Sequence, residues 1–254
     1  MIKRIFLSAA LGRQYLGSVA RLKEQVKLLS PNSEFVCLTS ENLRELCPKT
    51  FTVYKNILVE NIRGFGYFAW KPEMIYQAIQ GKFGLYDEVV WIDAGCEVNS
   101  LAGARRVFKN RSEYVMENGI WTHALASPEA CYTKKEVLSK YLSLDPNPKI
   151  QFQANYMHFG VIKPTLVVNN WLDMAMEGVK NLDFELKVKQ DKEFIEHRND
   201  QSLFSISCKL NSITPNKLDI STGRGISVLR SLNQPIWISR NRTGTTIKPR
   251  WLGR

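Results

Sequence analysis

The pattern of apolar and polar positions opens on a β-α-β unit. Ile2 to Ser8, with Ile5-Phe6-Leu7 as its apolar centre, reads as a first strand. After it Val19, Leu22, Val26 and Leu29 recur at helical spacing, and Pro31-Asn32 turns the chain into a second strand, Glu34 to Thr39. Such an opening is typical of a nucleotide-binding α/β half. A third run, Val89-Val90-Trp91-Ile92, is apolar at every position, which predicts a central strand buried on both faces. It ends on Asp93-Ala94-Gly95. In open α/β sheets ligands sit beyond the carboxyl ends of the strands, where Asp93 emerges. A carboxylate there can take a ribose hydroxyl, or a divalent ion that holds a diphosphate. Gly95 lets a ligand approach the backbone closely.

Two further segments carry dense chemistry. Arg63-Gly64-Phe65-Gly66-Tyr67-Phe68-Ala69-Trp70-Lys71-Pro72 predicts a turn-rich loop with Pro72 at the first position of a helix. Arg63 and Lys71 suit phosphates, and Tyr67 or Trp70 suits the face of a base or sugar. The alternative is an aromatic plug at one end of the core with solvated cations. His197-Arg198-Asn199-Asp200-Gln201-Ser202 opens a run compatible with a helix, with Asn199 as N-cap and Asp200 in the first turn. Capping alone accounts for Asp200 but not for a His, an Arg, an Asp and a Gln within five positions.

Between these segments the pattern is weaker. Thr133-Lys134-Lys135-Glu136 is a capping-box sequence that predicts a helix to about Leu142, and Asp145-Pro146-Asn147-Pro148 predicts a loop. Alternation from Gln151 to Ile162 predicts one strand with Gln151, Gln153 and Asn155 on a polar face, suited to sugar hydroxyls or simply half exposed. Trp171, Leu172, Ala175 and Val179 mark an amphipathic helix over Asn169 to Val179, and Lys180 to Lys192 is a charged, solvated stretch.

Composition narrows the class. The chain has 254 residues and 44% apolar content, enough for one α/β core, and shows no convincing linker or repeat. It contains no uninterrupted apolar stretch of membrane-spanning length, and the apolar segment after Lys3-Arg4 is too short for a signal peptide. Cys37, Cys47, Cys96, Cys131 and Cys208 form an odd, scattered set without CxxC spacing, as expected of reduced thiols in a cytoplasmic protein. The formal charge is +11, and residues 209–254 hold nine Lys or Arg against Asp219 alone, with Trp237, Trp251 and Leu252 among them. Basic residues beside tryptophan suit an anionic membrane surface, at about 1 kcal/mol per cation near it. Two other uses compete: nucleic-acid binding, for which no recognised motif is present, and plain packing of the tryptophans on the domain.

The ordered set Gly-Phe-Gly-Tyr-x-x-Trp-Lys-Pro, an apolar strand ending Asp-Ala-Gly-Cys-Glu, and His-x-x-Asp-Gln-Ser resembles a group of bacterial glycosyltransferases. Those enzymes are similar to the GT-A class and build capsular polysaccharide or lipopolysaccharide O-antigen. The likeness spans roughly residues 3–210. It implies a single α/β domain with a GT-A-like, Rossmann-related mixed sheet flanked by helices over residues 1–210, followed by a basic segment at 211–254. It also implies a nucleotide-sugar donor, UDP-linked by preference, and a glycan acceptor, lipid-linked in many such enzymes and met at the inner face of the cytoplasmic membrane.

By that likeness Asp93, with Ala94 and Gly95, takes the place of the Asp-x-Asp motif that binds nucleotide-sugar and metal. Arg63, Tyr67, Trp70, Lys71 and Arg21 belong to the donor site, and Gln153, Asn155 and Gln201 to the sugar or acceptor. Asp200 is then general base or donor-sugar clamp. Gly95 stands where the class has its second acid. Two readings follow: Glu97 and His197 complete a Mn2+ or Mg2+ shell with Asp93, or the site works without metal and Arg63 and Lys71 carry the diphosphate charge. A nucleotidyltransferase and a non-catalytic sugar-nucleotide or glycan-binding protein are the rival functions. The first expects a Gly-rich phosphate loop after the first strand, and Ser8-Ala9-Ala10-Leu11-Gly12 is a poor one.

Overall fold

The computed structural model describes residues 2–125, 127–163, 166–216 and 233–238, together with Arg242 and Gly244. The first half runs β1 (Arg4–Ala10), α1 (Leu16–Leu29), β2 (Glu34–Thr39), α2 (Leu43–Leu46), α3 (Pro48–Tyr54), the left-handed turn α4 (Gly64–Tyr67), α5 (Trp70–Ile79), β3 (Glu88–Ile92), β4 (Glu97–Val98) and α6 (Ala102–Asn118). The second half adds β5 (Ile120–Trp121), β6 (Ala124–Leu125), α7 (Lys135–Tyr141), β7 (Gln151–Phe152), β8 (Tyr156–Gly160), α8 (Val167–Met176), α9 (Asn199–Leu210) and β9 (Ile236–Trp237).

The main sheet has the order β2-β1-β3-β8-β5. β2, β1 and β3 are parallel, and β8 turns the sheet mixed by pairing antiparallel with both β3 and β5. Both faces are covered, which explains the unbroken apolar runs. Ile5, Leu7, Val89 and Trp91 pack on one side with Met74 and Ile75 of α5, Trp171 of α8 and Phe204 of α9. Phe6, Val90 and Ile92 pack on the other with Leu22 and Val26 of α1 and Phe108 and Val115 of α6. Val89, Val90 and Ile92 are wholly withdrawn from solvent, and each such side chain contributes about 1.5–3 kcal/mol. This is the mixed, helix-flanked α/β sheet that the resemblance implies.

Three local expectations are corrected. Gln151 to Ile162 is not one strand: β7 pairs with β6 in a small sheet of its own, while β8 lies in the main sheet. Pro72 sits in the third position of α5, still within the first turn where its missing N–H costs nothing. The capping box does not form, because Thr133 Oγ1 donates to Glu129 Oε1 and the Glu136 carboxylate accepts from Lys187 N–H at 2.9 Å and Gln190 Nε2 at 2.9 Å.

Backbone strain concentrates before α5. Gly64, Phe65, Gly66, Tyr67 and Phe68 all have positive φ, at 61°, 53°, 91°, 57° and 61°. L-residues disfavour this region by about 1–2 kcal/mol each, so Phe65, Tyr67 and Phe68 are held there only by their surroundings. Trp70 Nε1 donates to Gly64 O at 2.9 Å. A Cβ at Gly64 would stand 2.3 Å from the Phe68 ring, and one at Gly66 2.8 Å from Leu58 Cδ2. Gly64→Ala is accordingly expected to lower stability by about 1–3 kcal/mol, read as a fall in the urea midpoint with unchanged slope.

The described part of the C-terminal segment packs on the domain. β9 pairs antiparallel with β4, Glu97 opposite Trp237 and Val98 opposite Ile236, and Arg242 lies over the Tyr15 ring at 5.6 Å. The rest of the membrane expectation, with Trp251 and Leu252, falls outside the described residues. No helix among the described residues is long and apolar enough to cross a membrane, and all five cysteines are free.

Candidate active site

Asp93 leaves the carboxyl end of β3 in a tight loop closed by Cys96 N–H donating to Asp93 O at 2.9 Å. Arg21, buried on α1, donates from beneath to the carbonyls of Ala94 at 3.2 Å and Cys96 at 2.9 Å. Asp93 N–H donates to Asn155 O at 2.9 Å and so fastens the loop to the link between β7 and β8. The carboxylate is left part open: Oδ1 accepts from Trp91 Nε1 at 2.7 Å and Lys71 Nζ at 3.1 Å, and the side chain is 38% exposed.

Lys71 joins the two acids. Its ammonium lies 3.1 Å from Asp93 Oδ1, 3.0 Å from Asp200 Oδ2 and 3.2 Å from Ala154 O, with 4% of its side chain exposed. The rings of Phe68 and Trp91 flank it at 5.3 Å each. Burial by itself pulls the ammonium pKa down, but the Asp200 and Asp93 charges outweigh it and hold the group above the usual lysine value. Asp200, in the first turn of α9 and 6% exposed, has its carboxyl pushed up to about 6 by burial. The Asp93 charge adds to that push, and Lys71 opposes it. Two carboxylates with divergent environments at the mouth of a sheet are a recurring acid–base arrangement.

The polar side chains around the pair are held from behind. Gln201 Nε2 donates to Gln151 Oε1 at 2.8 Å, and Gln151 Nε2 donates to Glu129 Oε1 at 3.2 Å. Glu129 is itself buried, with Lys209 at 3.1 Å and Ser205 Oγ donating to it. Asn155 Nδ2 donates to Gln153 Oε1 at 2.8 Å, while Asn155 Oδ1, also buried, has no hydrogen-bond partner.

Other expected site residues lie elsewhere. Trp70 is buried against Trp91, 5.9 Å between ring centroids, and its indole N–H is committed to the left-handed turn. Arg63 stands exposed at 3.4 Å from Glu196 and over the Phe184 ring, which Tyr67 also meets edge-on at 5.7 Å. Both therefore flank the loop that leads into α9. Arg21 supports the Asp93 loop from below. Arg21→Met is expected to cost about 1.5–3 kcal/mol for the lost charged hydrogen bonds, seen in the urea midpoint.

A divalent ion bridging the acids does not fit the side chains present. His197 uses both ring nitrogens, Nδ1 accepting from Lys134 N–H at 3.3 Å and Nε2 bonded to Asn181 O at 2.9 Å, and burial drives its pKa down to about 4. Glu97 is buried in β4, where its charge acts on Arg21. Among the described residues no group of three or more His, Cys, Asp or Glu side chains is arranged to hold a metal. The position between the two carboxylates belongs to the Lys71 ammonium.

Three contributors escaped the sequence pattern: the Trp91 indole and the carbonyls of Ala154 and Asn155. Trp91, two residues before Asp93 and so on the same strand face, was open to inference; backbone carbonyls leave no trace in a sequence.

No family model matches the sequence, and no curated protein matches it. Among solved structures the fold is similar to the apo form of the bifunctional glycosyltransferase WbbM, with a TM-score of 0.53 and 14% identity over 95% of this chain. This chain spans 46% of that one, less than half its length. Mouse xyloside xylosyltransferase 1 in its apo form gives a TM-score of 0.46 and 11% identity over 97% of this chain and 99% of its own. An active-site mutant of LgtC gives 0.42 and 12% over 92% and 86%. At 14% identity the WbbM likeness establishes a shared GT-A-type fold.

Proposed function

We propose that the chain is a glycosyltransferase that moves a sugar from a nucleotide-diphosphate sugar, UDP-linked by preference, to a hydroxyl of a growing bacterial surface glycan. The observation that carries this reading is the pair Asp93–Asp200 on one buried ammonium at the carboxyl end of the sheet. The part-open Asp93 carboxylate takes a hydroxyl of the donor's ribose or sugar. Gln153, Asn155 and Gln201 address sugar hydroxyls, and the unpartnered Asn155 Oδ1 is an acceptor for one of them. Asp200 takes the proton of the acceptor hydroxyl. The acceptor oxygen bonds to the anomeric carbon, the bond from that carbon to the diphosphate breaks, and the nucleoside diphosphate leaves with the electron pair. Direct displacement with Asp200 as base inverts the anomeric centre.

A base needs its ionised form. With the Asp200 carboxyl at about 6, it is mostly ionised at neutral pH and protonated below. Activity is expected to fall about tenfold per pH unit on the acid side of pH 6, measured as kcat/KM against pH. A flat acid limb down to about pH 4.5 would remove Asp200 from the role of base.

The first test is a thermal-shift screen against UDP, GDP, CMP and dTDP, followed by turnover of the sugar form of whichever nucleotide binds. A shift with one nucleotide and detectable transfer supports the reading. A shift without turnover identifies a non-catalytic binding protein. Peripheral attachment at the inner face of the membrane is proposed from the cations of residues 211–254, and is checked by flotation with anionic vesicles in low and high salt. Binding indifferent to salt, or absent, removes it.

A further inference from the structure

The proposed transferase reading leaves open how the site balances the charge of its own acids. We propose that Lys71 is a resident cation that takes the place of a divalent metal, so that the site binds its nucleotide without one. This role rests on the proposed transferase reading only for the nucleotide; the metal affinity of the site can be measured without one.

The geometry is that of an ammonium site. An ammonium offers three N–H donors; Lys71 Nζ donates to Asp93 Oδ1 at 3.1 Å and Ala154 O at 3.2 Å, and it pairs by charge with Asp200 Oδ2 at 3.0 Å outside hydrogen-bond geometry. A magnesium ion needs its oxygens at about 2.0–2.1 Å in near-octahedral array, so this shell is of the wrong size and number. The lysine stem is fixed on the first turn of α5 with its ammonium between the rings of Phe68 and Trp91, and the side chain is 4% exposed. The ammonium is thus part of the packed core.

The residues nearby agree. Gly95 supplies no second carboxylate, Glu97 is buried beside Arg21, and His197 has both nitrogens bonded elsewhere. A metal on the outer oxygen of Asp93 would stand close to the like charge of Lys71, and the second acid, Asp200, is already paired with that ammonium. Part of what a metal ordinarily does for such a pair, Lys71 does from within the fold: it offsets one of the two carboxylate charges and holds both acids in place.

The test titrates Mn2+ into wild-type protein, followed by electron paramagnetic resonance of the free ion, and measures the UDP-induced Tm shift in EDTA and in Mn2+. Wild type is expected to bind no Mn2+ below millimolar concentration, with the UDP shift equal in both buffers. Lys71→Ala, which empties the space between the acids, is expected to bind Mn2+ at least tenfold more tightly than wild type, and to lose that gain when combined with Asp93→Asn. Micromolar Mn2+ binding by wild type that Asp93→Asn removes would overturn the proposal. So would a UDP shift that needs Mn2+, or a folded Lys71→Ala that gains no Mn2+ affinity. If Lys71→Ala does not fold, the wild-type titration with Asp93→Asn as control decides alone. If UDP shifts nothing in either buffer, the nucleotide reading fails while the Mn2+ titration still decides the role of Lys71.

Discussion

Asp200→Asn is expected to fold, because Lys71 keeps Asp93 as its partner, and to lose transfer activity by about two to four orders of magnitude, the usual contribution of a positioned general base. Asparagine keeps the shape of the side chain in the first turn of α9, so the packing around it should survive. It cannot accept a proton from a hydroxyl. The loss should fall on kcat with little change in the KM for donor, because a group that acts only as the reaction proceeds contributes little to ground-state binding. Single-turnover kinetics with saturating donor would show it. A variant that keeps full activity would mean that Asp200 orients rather than reacts, and a rise in KM alone would make it a clamp on the donor sugar.

Lys71→Met should have the largest effect on stability, about 3–5 kcal/mol, because it removes one partner of a buried charge cluster and leaves Asp200 desolvated and uncompensated. Methionine fills most of the volume, so the loss reports charge rather than a cavity. Two companion variants separate the causes. Lys71→Met combined with Asp200→Asn should recover part of the loss, since the stranded charge is gone, and the coupling is read from a double-mutant cycle. Lys71→Arg should not restore the wild type, because a planar guanidinium presents its donors differently from a tetrahedral ammonium with three oxygens around it. A loss below about 1 kcal/mol would place the pair in the range of surface ion pairs and show it far better solvated than its burial indicates.

The parts of this fold that were legible are those in which one physical effect dominates. β2 and the helix through Val19, Leu22, Val26 and Leu29 appear where expected, and the all-apolar Val89 to Ile92 run is a strand covered on both faces. Asp93 stood out as a candidate because it ends an all-apolar strand, and Asp200 because it lies in a dense polar cluster that opens a helix. What was not readable depends on residues far away in sequence. Asn199 looked like an N-cap, yet its Nδ2 donates to Leu182 O and its φ is 46°, so tertiary contact overrode capping. Lys71 looked like a phosphate ligand. Only the fold shows that two carboxylates lie within reach of its ammonium and withdraw it from solvent. The break between β7 and β8 was hidden for the same reason, since the carbonyls of Ala154 and Asn155 are taken by Lys71 and the Asp93 loop.

The pairing of β4 with β9 has a consequence for how the molecule is made. β4 follows the Asp93 loop directly, and its partner strand comes far later in sequence, with Asn99 further tied to Pro235 and Gln234. Chains emerge from the ribosome at about 5–20 residues per second and fold from the N-terminus onward. The strands β1, β2 and β3 can therefore pair during synthesis while β4 waits with its edge bare. The β4–β9 pair is expected to close only after β9 has been made. A chain shortened before β9 would leave β4 with an unpaired strand edge open to other chains.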